Sequence, residues 1–293
     1  MADLHVVILA AGKGTRMKSA VPKVLHRVAG VPMIEHVLAT ARTLQPRSIT
    51  IVVGHQGDTL QEALSTHPNL VVVVQEPQLG TAHALLTTET ALRQATGTVL
   101  LLSGDVPLLS SDTLKALVAR HETAQAAVSV VTALVDEPTG YGRIIRSGQQ
   151  IARIVEERDA SPAERAIREI NAGIYAFRLD GLFEALRNIV AANAQQEYYL
   201  PDIVALCRAR GLPVETVVTN ADETRGINSR GELAEAVAHV ERAIAMNPEN
   251  RALARTDPDL DPLRGDDAFT AALEAPPMMR PERRRPVRPR SAR

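Results

Sequence analysis

Uninterrupted β-branched runs take turns along the chain with stretches whose apolar positions repeat at helical spacing. Residues 6–9, Val-Val-Ile-Leu, form the first run, a pattern that predicts a strand buried on both faces. Residues 49–53, 70–74 and 98–102 repeat it. Between them, residues 32–44 predict a helix, with Pro32 in its first turn and Met33, Val37, Ala41 and Leu44 on one face. Residues 59–64, 81–92 and 110–121 predict three more, the last with Ser111 and Asp112 as N-cap candidates. This alternation predicts an α/β fold with a mostly parallel central sheet covered by helices on both faces.

After a further strand at residues 128–134 the rhythm changes. A turn cluster at 138–142 leads into short strands at 143–145 and 151–155, joined around Ser147-Gly148 as in a hairpin, and another strand follows at 170–177. Residues of about 136–200 are therefore expected to form a small β-rich lobe over the sheet edge. Residues 182–190 and 198–210 predict helices, 214–218 a last strand, and 230–246 a long helix. The main domain is expected to span residues 1–229. Asn247-Pro248-Glu249-Asn250 then breaks the helix. Residues 247–275 read as a short atypical extension, and 276–293, rich in Pro and Arg, as a disordered tail.

Composition narrows the function classes. Apolar residues make up 45% of the 293, enough for a globular core, and the formal net charge of -1 argues against specific nucleic-acid binding by the whole chain. A single cysteine, Cys207, excludes an internal disulfide and a cysteine zinc cluster. No apolar run approaches the roughly 20 residues of a membrane span, so no membrane partner and a cytoplasmic location are expected. Tryptophan is absent and aromatics are only 2%, so a bound base or sugar has to be held by backbone groups and amides rather than by indole stacking.

The first strand runs into Leu9-Ala10-Ala11-Gly12-Lys13-Gly14-Thr15-Arg16, and Pro22-Lys23 follows. Small residues let successive N–H groups approach an anion, and Lys13, Arg16 and Lys23 add positive charge, which points to a polyphosphate held at the end of the strand. A Walker A loop is absent, and the Rossmann fingerprint fails because Met17 occupies its third glycine position. Gln75, Gln78, Gly80 and Thr81 follow the third strand. Two Gln side chains supply the donors and acceptors that an imide edge demands, Gly80 permits close approach, and Thr81 opens a helix. Ser103-Gly104-Asp105 closes the fourth strand, where α/β sheets hold metals and phosphates, and a carboxylate suits Mg²⁺.

These motifs, in this order, resemble the sugar-phosphate nucleotidyltransferases. The likeness is strongest to the uridyltransferase half of bifunctional N-acetylglucosamine-1-phosphate uridyltransferase/glucosamine-1-phosphate acetyltransferases, and it runs to about residue 246. It is carried by Leu9-Ala10-Ala11-Gly12, Gly14-Thr15-Arg16-Met17 and Pro22-Lys23-Val24-Leu25, with Gly140-Tyr141-Gly142-Arg143, Asn171-Ala172-Gly173 and Glu197-Tyr198-Tyr199 further on. The resemblance implies a Rossmann-like nucleotidyltransferase fold whose lobe binds the sugar through Gly142, Glu156, Asn171 and Tyr199. It implies Mg²⁺ on Asp105 and Asn228, although Asn228 would look the same as the N-cap of the long helix. It implies catalytic roles for Arg16, Lys23 and Asp105. Ser103 stands where some relatives have tyrosine. No hexapeptide repeat follows residue 246, so the acetyltransferase β-helix, and an oligomer built through it, are not expected.

The expected reaction is transfer of UMP from UTP to N-acetylglucosamine 1-phosphate, giving UDP-N-acetylglucosamine and pyrophosphate for cell-envelope synthesis. The acceptor is already an anion, so no nucleophile–base pair is required, and positioning with charge neutralisation carries the catalysis. Two other readings stay open: a nucleotidyltransferase with a different nucleotide or sugar, and a non-catalytic binding protein on the same fold.

Overall fold

The computed structural model describes residues 3–12, 14–28, 30–54, 57–229 and 232–233. The chain divides into one unit of Met1–Leu233 and a second of Ala234–Arg293. The second unit, and with it the expectations for residues 247–275 and 276–293 and for a missing β-helix, lies outside the described residues, as does the helix expected over 230–246 apart from residues 232–233, which are helical.

The first unit is built on β1 (Leu4–Ala10), β4 (Ser48–Val53), β5 (Leu70–Val74), β6 (Thr98–Ser103), β7 (Val128–Leu134), β10 (Glu169–Arg178) and β11 (Val214–Thr219). Their order in the sheet is β11-β7-β10-β6-β1-β4-β5. All neighbouring pairs are parallel except those of β10, which runs antiparallel to both β6 and β7. The hairpin of β8 (Arg143–Ser147) and β9 (Gln150–Val155) attaches to β10 where Ile170 pairs with Arg143. A separate ribbon, β2 (Arg27–Val28) with β3 (Val31–Pro32), was not foreseen from the sequence.

The uninterrupted apolar runs have a direct cause. Val6 and Ile8 of β1 face one core and Val7 faces the other, and all three are fully buried. The first core packs under α1 (Met33–Arg42), α2 (Gly57–Ala63) and α4 (Ser111–Thr123), through Ile34, Leu38, Leu60, Leu114 and Leu117. The second packs under α3 (Thr81–Leu86), α6 (Leu182–Arg187) and α7 (Asp202–Ala209), through Leu85, Leu182, Leu186, Ile203 and Val204. A strand covered on both faces favours apolar side chains at every position, with only small or hydrogen-bonding exceptions such as Thr50, Ser129 and Thr132, and alternation disappears. A short α5 (Pro162–Arg165), capped by Ser161 and Glu164, completes the helices described.

Several predicted boundaries move, each for a local reason. Pro32 pairs with Arg27 and caps α1 instead of lying in its first turn. Ser110, not Ser111 or Asp112, caps α4 and accepts from Thr113 N at 3.2 Å. α3 stops at Leu86 rather than residue 92: the Thr87 and Thr88 hydroxyls donate back to Ala84 O and Leu85 O, both at 2.7 Å, competing with the helical ladder. α6 stops at Arg187, where Asn188 Nδ2 donates to Glu184 O at 2.7 Å. α7 starts at Asp202 because Pro201 disfavours helical backbone at Leu200. Tyr198, expected in that helix, is bonded across to the loop before α3: its N donates to Leu79 O at 2.8 Å, and its O accepts from Ala82 N at 2.9 Å.

Candidate active site

Register places the chemistry at one end of the sheet. Leu9 pairs with Ser103 and Ala10 with Val53, so the loops leaving β1, β4 and β6 emerge side by side. Gly104 N donates to Leu9 O at 2.9 Å, which ties the Asp105 turn to the end of β1. Gly104 itself is buried, and a Cβ there would meet Val24 and Ile34 at 3.1 and 3.2 Å, so its small size serves close packing beneath the loops.

A cleft of 430 Å³ opens above these ends. It is lined by Leu9, Ala10, Ala11, Gly12, Lys23, Gln75, Gln78, Gly80, Thr81, Ser103 and Asp105, all expected from the sequence, together with Val24, Ala84 and Glu197. Gly14 stands at φ +58, a left-handed conformation in which an added Cβ would press on Lys23 Cβ at 3.0 Å. Arg16 is exposed on the short turn of 3₁₀ helix Thr15–Met17, whose Met17 is buried as its anchor, and it does not line the cleft.

The structure gives the two glutamines more local duties than the sequence suggested. Gln75, only 4% exposed, donates through Nε2 to Gly80 O at 2.9 Å and lies 3.1 Å from His83 Nδ1, so its amide organises its own loop. Gln78 Nε2 donates to Ala11 O and so reaches from that loop to the turn after β1. Thr81 Oγ1 accepts from Leu200 N at 3.0 Å.

At the mouth of the cleft, Lys23 Nζ forms an ion pair with Asp105 Oδ2 and donates to Asn228 Oδ1 at 2.7 Å. The Lys23 and Asp105 side chains are 13% and 19% exposed. Asn228 is not the helix cap: Ser229 Oγ accepts from Glu232 N at 3.2 Å, and Glu232 Oε2 accepts from Asn228 N at 2.6 Å. Ile227 N donates to Asp105 O at 2.9 Å, which joins this segment to the Asp105 turn. Glu232 was missed from the sequence, although Ser229-x-x-Glu232 is the spacing of a capping box. Two hard oxygen donors thus converge on one cation, a donor set that suits a divalent metal completed by phosphate oxygens and water. Among the described residues no group of three or more His, Cys, Asp or Glu offers a closed metal site.

The lobe gathers the remaining predicted residues in a second cluster. A Cβ at Gly142 would stand 3.1 Å from Glu156 Oε1 and 3.5 Å from Asn171 Cβ, and Asn171 N donates to Gly142 O at 2.9 Å. Asn171 Oδ1 accepts from Gly173 N at 3.0 Å, within the bulge of β10. Burial, then the charges of Asp202 and Asp159, push Glu156 up to about 7, against the opposing effect of Arg143. Tyr199 is buried, its hydroxyl has no hydrogen-bond partner among the described residues, and burial pushes it up to about 12. Arg143, unnoticed in the sequence as an anchor, is 1% exposed and holds the lobe together: it pairs with Glu157 Oε2 at 2.6 Å and donates to Tyr141 O. Burial raises the Tyr141 phenol, which lies in the fields of Glu232 and Asp105.

Known proteins resemble this chain in sequence and in fold. The chain is 49% identical over 258 residues to the bifunctional protein GlmU of Syntrophotalea carbinolica, covering 88% of this chain and 55% of that protein. It is 51% identical over 229 residues to a bifunctional protein GlmU of Thermus thermophilus, covering 78% and 50%. The chain therefore spans about half the length of the curated relatives it matches. Among solved structures, a UDP-glucose pyrophosphorylase complexed with UDP-glucose superposes with a TM-score of 0.66 at 19% identity, covering 83% of this chain and 100% of that one. A putative glucose-1-phosphate thymidylyltransferase from Bacillus anthracis gives 0.65 at 21%, covering 80% and 94%. With the MobA-like NTP transferase domain model matching residues 6–172, more than half its length, the chain belongs to that family.

Proposed function

We propose that residues 1–229 transfer UMP from UTP to N-acetylglucosamine 1-phosphate, releasing pyrophosphate, in a cytoplasmic setting. The observation that carries this reading is the convergence of Lys23, Asp105 and Asn228 at the mouth of a cleft floored by the turn after β1. An oxygen of the sugar phosphate attacks the α-phosphorus in line, and the bond to the β-phosphate oxygen breaks. Asp105 and Asn228 would hold Mg²⁺, which supplies neutralisation of the charge on the reacting phosphates. The turn from Ala10 to Gly14 holds the pyrophosphate end, and Lys23 and Arg16 offset its charge. Glu156, Asn171 and Gly142 hold the sugar, with Tyr199 behind them. A half-buried carboxylate and a buried amide discriminate well, because a mismatched hydroxyl leaves them unpaired.

A second reading, transfer of a different nucleotide, draws on Gln75, whose amide N–H groups are committed to Gly80 O and the His83 ring rather than turned to a base. One experiment separates the two. The full chain is offered equimolar UTP, TTP, CTP and GTP with a panel of sugar 1-phosphates and Mg²⁺, and products are identified by mass spectrometry. UDP-N-acetylglucosamine as the dominant product supports the first reading. Another nucleotide sugar would establish the second, and no pyrophosphate release at all would overturn both.

A further inference from the structure

Lys23 occupies the place where a metal would have to go. Its Nζ meets Asp105 Oδ2 and stands 2.7 Å from Asn228 Oδ1. A Mg²⁺ ion lies about 2.0–2.1 Å from its oxygen ligands, so an ion on these two oxygens would fall in the space of the ammonium. The two cations exclude one another, by overlap and by repulsion.

We propose that Lys23 is a built-in occupant of this site, displaced when a divalent cation binds and thereby released toward the triphosphate. The inference rests on the reading of Asp105 and Asn228 as the cation ligands. The residues carrying the oxygens are the fixed partners. The main chain of Asp105 is held by Ile227 N and that of Asn228 by Glu232 Oε2, and the Asn228 amide also donates through Nδ2 to Gly226 O at 3.2 Å, so neither backbone depends on Lys23 for its place. Lys23 is the movable one, a compact charge on a four-carbon stem whose root packs beside Gly14. The same side chain lines the cleft with Ala11 and Gly12, so rotation about its own torsions carries the ammonium from the metal oxygens to the anion-binding turn. Metal entry and phosphate binding are thereby coupled: metal alone competes with Lys23, whereas a triphosphate accepts the ammonium and clears the site. Coupling of this kind is reciprocal.

The test uses Mn²⁺ alone, followed by electron paramagnetic resonance on the full chain without nucleotide. Lys23→Met is expected to bind Mn²⁺ at least tenfold more tightly than the parent chain, and Arg16→Met, which removes a cation that does not touch these oxygens, to change affinity by less than twofold. Adding Asp105→Asn to Lys23→Met should abolish the gain. Equal or weaker binding by Lys23→Met, or an equal gain in Arg16→Met, would overturn displacement while leaving the metal site standing. Mn²⁺ binding indifferent to Asp105→Asn in both backgrounds, or undetectable in every chain, would overturn the metal-site reading itself. Circular dichroism verifies folding, and Lys23→Gln replaces Lys23→Met if that variant does not fold.

Discussion

Asn228 Oδ1 accepts a hydrogen bond from Lys23 Nζ at 2.7 Å across 205 residues of sequence. The bond decides between two roles that the sequence leaves equal, since an asparagine before a helix is as good a cap as a ligand. The cap is Ser229, bonded to Glu232 N. Asn228 is therefore free to direct its carbonyl oxygen at the cation beside Asp105.

This separation predicts opposite phenotypes for adjacent residues. Asn228→Ala is expected to lower kcat on the order of 10²-fold or more, the scale for losing one group that stabilises transferring charge, with the urea midpoint unchanged. Ser229→Ala is expected to cost about 1 kcal/mol of stability with kcat within a few fold. Urea titrations and pyrophosphate-release assays on the two variants make the comparison.

Glu156 sets a pH dependence whose sign follows from its environment. Burial and neighbouring carboxylates raise it from 4.5 to about 7, so its protonated form is the one the fold prefers. Its contribution is fully present below pH 4.5 and is lost as pH rises toward and past 7, on the order of 3 kcal/mol. Glu156→Gln should flatten that fall between pH 5 and 8 and be the more stable chain at pH 8, measured by urea unfolding. In the parent chain, KM for the sugar phosphate should drop as pH rises through 7, because the ionised carboxylate is the stronger acceptor for sugar hydroxyls. The glutamine variant should lose that slope.

Arg143 predicts a structural failure of the lobe. Its guanidinium is buried, paired with Glu157 and bonded to Tyr141 O. Arg143→Met leaves that acceptor unpaired and the part-buried Glu157 carboxylate with only the long 3.4 Å bond from Gly140 N, a loss on the order of 3 kcal/mol. Because Gly142 leads into β8 and β9 runs out to Glu156, a rise in sugar-phosphate KM should accompany the lower melting temperature. An unchanged melting temperature would contradict the anchoring role.

Gly80 predicts a steric effect on the nucleotide side. It sits at φ +108, and a Cβ would stand 2.6 Å from Tyr198 O and 2.8 Å from Tyr198 N, both backbone atoms. Gly80→Ala should therefore part the loop before α3 from the segment around Tyr198. A cost of about 1–3 kcal/mol and a rise in nucleotide KM larger than that in sugar-phosphate KM are expected from calorimetry and steady-state kinetics.

Much of this molecule was legible in its residues. The β-branched runs at Val6, Ile49 and Thr98 are strands covered on both faces, whereas the run at Leu70 forms the edge strand β5 and leaves Val71 and Val74 exposed; the glycine-rich turn after Leu9 and the carboxylate after Ser103 fall at strand ends wherever the strands lie. Helix ends were less legible. Thr87, Thr88 and Asn188 stop helices, and Pro201 delays the start of one, through hydrogen bonds or steric limits that an averaged apolar period does not register.

Local pattern determines elements, because period and propensity act over a few residues. Tertiary structure alone decided that β10 inserts antiparallel between β6 and β7, bringing Asn171 to Gly142 and Glu156. It alone decided that Gln75 turns its amide inward and that Lys23, Asp105 and Asn228 meet. Those contacts join residues up to 205 positions apart, and their geometry is set by strand register and packing, quantities that no local window of sequence contains.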